Sequence, residues 1–106
     1  MKKLFISQPM KGKTEEQILQ DRKFAIEKAK EILDETVEVI DSFFQEMGAP
    51  AGADCALWML GESIKLLSTA DVACFAPGWE SGTGCRIEYE CAVGYGIGII
   101  DLEECN

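Results

Sequence analysis

Val72 to Ala76 is apolar at every position, too short for a helix and suited to a strand buried on both faces. Pro77-Gly78 ends the run, and Ser81-Gly82-Thr83-Gly84 reads as a flexible turn whose hydroxyls can cap a helix. From Cys85 the apolar spacing changes to three and four: Cys85, Glu88, Cys91/Ala92, Tyr95. A buried strand, a Gly-rich loop and a helix in that order constrain the fold more than any other stretch. One member of the helical stripe is a carboxylate. Glu88 is therefore expected to face the sheet from near the start of its helix, with Glu90 pointing away. In open α/β sheets ligands bind in the crevice at the strand C-termini. Glu88 should lie there.

The rest of the chain alternates in the same way. Leu4 to Ser7 reads as strand one, followed by the loop Ser7-Gln8-Pro9-Met10-Lys11-Gly12. Thr14-Glu15-Glu16-Gln17 is a capping-box start for a helix running to about Asp34, with Ile18, Ala25, Ile26, Ala29, Ile32 and Leu33 on one face. Val37 to Ile40 is strand two, ending in Asp41-Ser42, and Phe43 to Ala53 is a loop. Asp54 can cap a second helix carrying Leu57, Leu60, Ile64 and Leu67. Val72 to Ala76 is strand three, Thr83 to Tyr95 helix three, Ile97 to Ile100 strand four, and Glu103 to Asn106 a frayed tail. Strands joined through helices run parallel, and right-handed crossovers give a three-layer α/β sandwich. The expected strand order is 2-1-3-4, with the switch point between strands one and three. Three loops then share one edge: Ser7–Gly12, Asp41–Phe44 and Pro77–Gly84.

Composition excludes several functions. A chain of 106 residues forms one domain, residues 1–106, able to bury about 60–70% of its unfolded surface. Ten basic against nineteen acidic residues give a net charge of −9, with no basic stripe to neutralise a nucleic acid polymer. No apolar run approaches the roughly 20 residues of a membrane span, and Met-Lys-Lys leads into a strand instead of a signal peptide. These features point to a cytoplasmic protein without a membrane partner. The cysteines Cys55, Cys74, Cys85, Cys91 and Cys105 contain no Cys-x-x-Cys pair, and there is no His to complete a zinc set or activate a thiol. They read as small hydrophobes kept reduced, with no metal site. The loop after strand one is neither the dinucleotide fingerprint nor a P-loop.

Several motifs together resemble one family. Ser7-x-Pro9-Met10-x-Gly12, Ala70-Asp71, Gly78-Trp79-Glu80-Ser81 and Gly84-Cys-Arg-Ile-Glu88-x-Glu90-x-Ala92 resemble the nucleoside 2-deoxyribosyltransferase-like superfamily, in its small bacterial and phage branch. The resemblance covers nearly the whole chain. It implies a flavodoxin-like (Rossmann-like) fold and a glutamate nucleophile at the sugar C1′, the position that Glu88 matches. It implies no cofactor and a small-molecule nucleoside or nucleotide as ligand. Ser7, Gln8, Pro9, Met10 and Gly12 in the first loop match the family's parts that hold sugar, base or phosphate. So do Gly78, Trp79, Ser81, Gly82 and Gly84 in the Gly-Trp loop. Family enzymes usually carry an Asp eight residues before the strand-three Asp. Here that place is Ser63, so Glu62 or Asp41 is the candidate second acid.

The chemistry suits these residue types. Breaking an N-glycosidic bond passes through an oxocarbenium-like state, which a carboxylate can stabilise or capture while a proton donor assists the departing base. The expected function is cleavage or transfer of a deoxyribosyl group, with a non-catalytic nucleotide-binding module as the alternative. Each residue also has a plainer role. Glu88 can pair with Arg86 or Arg22, Asp41 can merely end its strand, and Asp71 is expected to be a structural cap. Trp79 can stack on a ligand or mediate assembly, while Trp58 and the methionines are expected in the core. With Phe43, Phe44 and Trp79 in loops around the site, the chain is expected to form a homo-oligomer, with a symmetric interface near helix two.

Overall fold

The computed structural model describes residues 1–41 and 49–103. The elements are β1 (Lys2–Ser7), α1 (Glu15–Leu33), β2 (Val37–Val39), α2 (Cys55–Leu67), β3 (Val72–Phe75), a single 3-10 turn at Trp79–Ser81, α3 (Thr83–Gly94) and β4 (Gly98–Asp101). All strands pair in parallel, in the order β2-β1-β3-β4. Helices flank both faces, giving the flavodoxin-like three-layer arrangement expected from the alternation of strand and helix.

Strand periodicity divides the core in two. Leu4, Ile6, Val72, Cys74 and Ala76 face Ala25 and Ala29 of α1, while Phe5, Ala73 and Phe75 face Leu67 of α2 and Cys85 and Ala92 of α3. Ser7 shares the parity of Phe5, so it emerges on the α2/α3 side at the C-terminal end of β1. The capping signals of α1 and α2 work as the sequence implies. Thr14 Oγ1 accepts from Gln17 N at 3.1 Å while Gln17 Oε1 accepts from Thr14 N at 2.9 Å, and Asp54 accepts from Leu57 N at 3.0 Å. Asp71 is structural: its carboxylate accepts from Lys3 N at 2.8 Å and ties β1 to the start of β3.

Several expectations are corrected. Strand four is displaced to Gly98–Asp101, because Val72 pairs with Gly98 and the ladder continues until Leu102 N reaches Phe75 O. Tyr95 is 86% exposed, not on the inner stripe. Helix α3 ends at Gly94, and Tyr95 leaves the helical rotation with φ −110° and ψ 11°. Glu103 is held, not frayed: it accepts from Gly78 N, and its own N–H donates to Asp101 Oδ1 at 3.0 Å. Trp58 is half-exposed and Leu57 is 66% exposed, where core positions were expected. The first turns of α2 border a cavity instead of the sheet, so Leu67 at its far end is its one buried residue. Met10 and Met59 line that same cavity. Phe43, Phe44 and Cys105 lie outside the described residues.

No described helix is long and apolar enough to cross a membrane. Cys74 and Cys85 are buried, Cys91 is half-buried and Cys55 is exposed. Burial pushes the Cys85 thiol up to about 11, which keeps it protonated and unreactive at neutral pH. In a thiol-labelling time course on the native protein, Cys55 should therefore modify first among the described cysteines. Cys74 and Cys85 should modify only in denaturant, and rapid native labelling of Cys85 in a mass-mapped digest would contradict this packing.

Candidate functional site

The site is built at the switch point between β1 and β3. Glu88 lies on the buried stripe of α3 with Cys85 and Ala92, three and four residues to either side. Glu88 is 6% exposed. Ser7 at the end of β1 donates to Oε1 at 2.6 Å, and Ser63 of α2 donates to Oε2 at 2.6 Å. Three elements distant in sequence thus converge on one acid.

No ion pair to Glu88 occurs among the described residues. The alternative partners are engaged elsewhere: Arg86 donates to Glu80 O at 2.7 Å, and Arg22 donates to Ile40 O at 2.9 Å. Burial pushes the Glu88 carboxyl above its ordinary value, and the Ser63 and Ser7 hydrogen bonds oppose that rise without cancelling it. Magnitudes explain the balance. A hydrogen bond to a charged group contributes about 1.5–3 kcal/mol, whereas removing a carboxylate from water costs several. The helix N-terminus gives little help, because its field fades within the first turn and Glu88 lies beyond that turn.

Glu88 forms part of the wall of a cavity of about 460 Å³. Ser7, Gln8, Pro9 and Met10 line it from the first loop, and Gly82 and Gly84 from the second, with Ser63, Met59 and Leu60 contributed by α2. Gln8 is buried in this wall. Its Nε2 donates to Ile18 O at 2.8 Å, which fixes the amide and leaves Oε1 an unpartnered buried acceptor. Gly82, Thr83 and Gly84 at the start of α3 also border the cavity, and Gly82 occupies the N-cap position without any side-chain cap. Ser81, a candidate cap in the sequence, donates instead to Gly78 O at 2.7 Å.

The remaining candidates lie elsewhere. Trp79 does not line the cavity. Its ring is buried against Phe75 and Tyr89, stacked on Tyr89 at 4.5 Å and 13°, and its Nε1 donates to Asp101 Oδ1 at 2.9 Å. Gly78, with φ 84°, makes the reversal that sends the chain from β3 into this aromatic cluster. Gly12 and Ser81 stand outside the lining. Glu62 accepts from Lys65 at 3.1 Å on the outer side of α2, and Asp41 is exposed beside Arg22, whose guanidinium is lowered by burial and raised again by that neighbour. Neither acid lines the cavity. Ser63, which the sequence marks by its distance from Asp71, is the residue that reaches Glu88. No three described Cys, Asp or Glu side chains gather into a metal-binding cluster.

A folded-state pKa above the ordinary 4.5 means the native protein binds this proton more tightly than the unfolded chain. The contribution of Glu88 to stability is therefore fully present below about 4.5 and lost as pH rises through the raised folded value. Glu88→Gln should unfold at higher temperature than the wild type at neutral pH, and the difference should close as pH falls below that point. Ser63→Ala should raise the Glu88 pKa further, read by carboxyl carbon shifts in an NMR titration. A Glu88→Gln melting difference independent of pH would show that the acid is not buried as described.

Compared with known proteins, the chain matches no family model, no curated protein and no solved structure.

Proposed function

We propose that the chain binds a nucleoside or nucleotide in the cavity between β1, α2 and α3, and that Glu88 cleaves or transfers its sugar–base bond. The observation that carries this reading is the buried Glu88 carboxylate, gripped by Ser7 and Ser63 on the wall of a ligand-sized cavity. The motif resemblance to nucleoside 2-deoxyribosyltransferase-like proteins supports the same assignment.

In this proposal the two hydroxyls fix the direction of the carboxylate, so that one oxygen can approach the anomeric carbon of a bound sugar. Attack forms a glycosyl ester and releases the base with its bonding electrons, and water or a second base then cleaves the ester. The apolar wall, with Met59, Leu60 and Pro9, accepts a flat ring, and Gln8 Oε1 accepts a hydrogen bond from a ligand hydroxyl or N–H. Lys11 and the uncapped start of α3 provide for a phosphate at the mouth. The working unit in this reading is a homo-oligomer, since α2 lines the cavity on one side while its outer side is uncovered among the described residues.

A specific observation favours a second reading. Neither Asp41 nor Glu62 lines the cavity, and the place nearest Glu88 holds a serine hydroxyl where a second acid would assist the leaving base. A module that binds the same ligands without turnover needs no such acid.

The deciding experiment incubates the protein with a panel of deoxynucleosides and their 5′-monophosphates and follows free base by chromatography. Release should rise with pH as Glu88 ionises, with its ascending limb displaced above the usual carboxylate range. Glu88→Gln should lower it by about 10³-fold or more while ligand-induced thermal stabilisation persists. Thermal stabilisation without base release from any member of the panel selects the binding module.

A further inference from the structure

The wall around the end of β1 is one-sided in its charge. Glu88 is buried there, and no Lys or Arg pairs with it among the described residues. Ser7 and Ser63 each direct their one hydroxyl proton at Glu88, so neither has a donor left for a ligand. Gln8, next along from Ser7, adds a second electron-rich atom. Ile18 O can only accept, so the end of the amide 2.8 Å from it must be Nε2. Turning the amide over would set two oxygens against each other. Oε1 is thereby held as an acceptor, buried and without a partner. Gln8 and Glu88 line the same cavity of about 460 Å³.

Two such groups side by side call for positive charge. A buried carboxylate without a countercharge is unfavourable, and a cationic ligand supplies the countercharge where little water is left to screen it. A compact ammonium is strongly hydrated and suits the rest of this wall poorly. Pro9, Met59 and Leu60 offer apolar surface, so a flat ring carrying delocalised charge fits both parts of the cavity.

The charge also bears on the reaction. A neutral base leaves its sugar as an anion unless an acid protonates it. Glu88 is the one acid that the described residues place on the cavity. A base that is cationic while on the sugar needs no proton. When Glu88 bonds to C1′, the C1′–N bond breaks and its electron pair returns to the ring nitrogen, which cancels the charge. The base departs neutral. Water then cleaves the ester at C1′, leaving a sugar hydroxyl and the Glu88 carboxylate and releasing one proton to solvent.

We propose that the substrates of this site are nucleosides or nucleotides whose base is a quaternised, cationic ring of the pyridinium or N7-alkylpurinium class. This rests on the reading that Glu88 works on a sugar–base bond, and narrows that reading to one class of leaving group. Exposed Lys11 accommodates a 5′-phosphate on the same ligand.

The test compares 2′-deoxyguanosine with 7-methyl-2′-deoxyguanosine, in slightly acidic buffer where the methylated base keeps its full positive charge. Nicotinamide riboside and its 5′-phosphate extend the cationic set. Each kcat/KM is divided by the uncatalysed rate of the same compound, because a cationic base is intrinsically the better leaving group. After that division the cationic member should exceed the neutral one by about 10²-fold or more. Binding is read separately by calorimetry with compounds that carry no glycosidic bond. 1-Methylnicotinamide, a cation, should bind about tenfold or more tightly than neutral nicotinamide. Glu88→Gln should remove that preference, and Gln8→Met should narrow it. Neutral bases released at the normalised rate of cationic ones, or faster, overturn the proposal and leave Glu88 as the nucleophile of ordinary nucleosides. Release from neither class overturns the proposal together with the reading it rests on. A wild type without the binding preference, or a preference that persists in Glu88→Gln, also overturns it.

Discussion

The rest of the site depends on how a carboxylate is kept away from water without a cation. Ser7 and Ser63 each give Glu88 one hydrogen bond of 2.6 Å, and these bonds tie the end of β1, the middle of α2 and the inner face of α3 to a single group. The solution is partial, since burial still raises the proton affinity of Glu88. A fully paired acid would be a structural fixture. One held by two neutral donors keeps its sensitivity to pH.

That arrangement exists because the parallel sheet brings the C-terminal ends of β1 and β3 to the same edge. Period-two alternation turns Phe5 and Ser7 to one side, and only at the last residue of β1 is the apolar series replaced by a hydroxyl. The aromatic cluster of Phe75, Trp79 and Tyr89 then fixes the turn that opens α3. The indole–Asp101 hydrogen bond anchors that turn to β4. Trp79 thus supports the site from behind the wall, where its position in a Gly-rich loop suggested a ligand contact.

Helix α2 shows how one element serves two surroundings. Its mean composition is apolar enough for a core helix, yet it places Leu67 in the core, Ser63 on Glu88, and Leu57 with Trp58 facing outward. The i, i+3, i+7 spacing of Leu57, Leu60 and Ile64 is that of a buried stripe. Spacing reports which residues share a face. It cannot report what lies opposite each residue: Leu60 borders the Glu88 cavity, whereas Leu57 is exposed on the outer side.

By itself the sequence determined the parallel α/β order, the three helices with the α1 and α2 N-caps, and the inward turn of Glu88, because each follows from interactions within a few residues. Apolar period, capping side chains and glycine placement are local, and strand–helix alternation leaves few topologies. Tertiary structure alone decided that Ser63, not Glu62 or Asp41, meets Glu88, and that Trp79 is buried while Trp58 is exposed. Ser63 and Glu62 are neighbours in the chain and differ by about 100° around α2. Which of them reaches the acid depends on how that helix is rotated against α3. That rotation is fixed by packing between residues far apart in sequence, which no local pattern records.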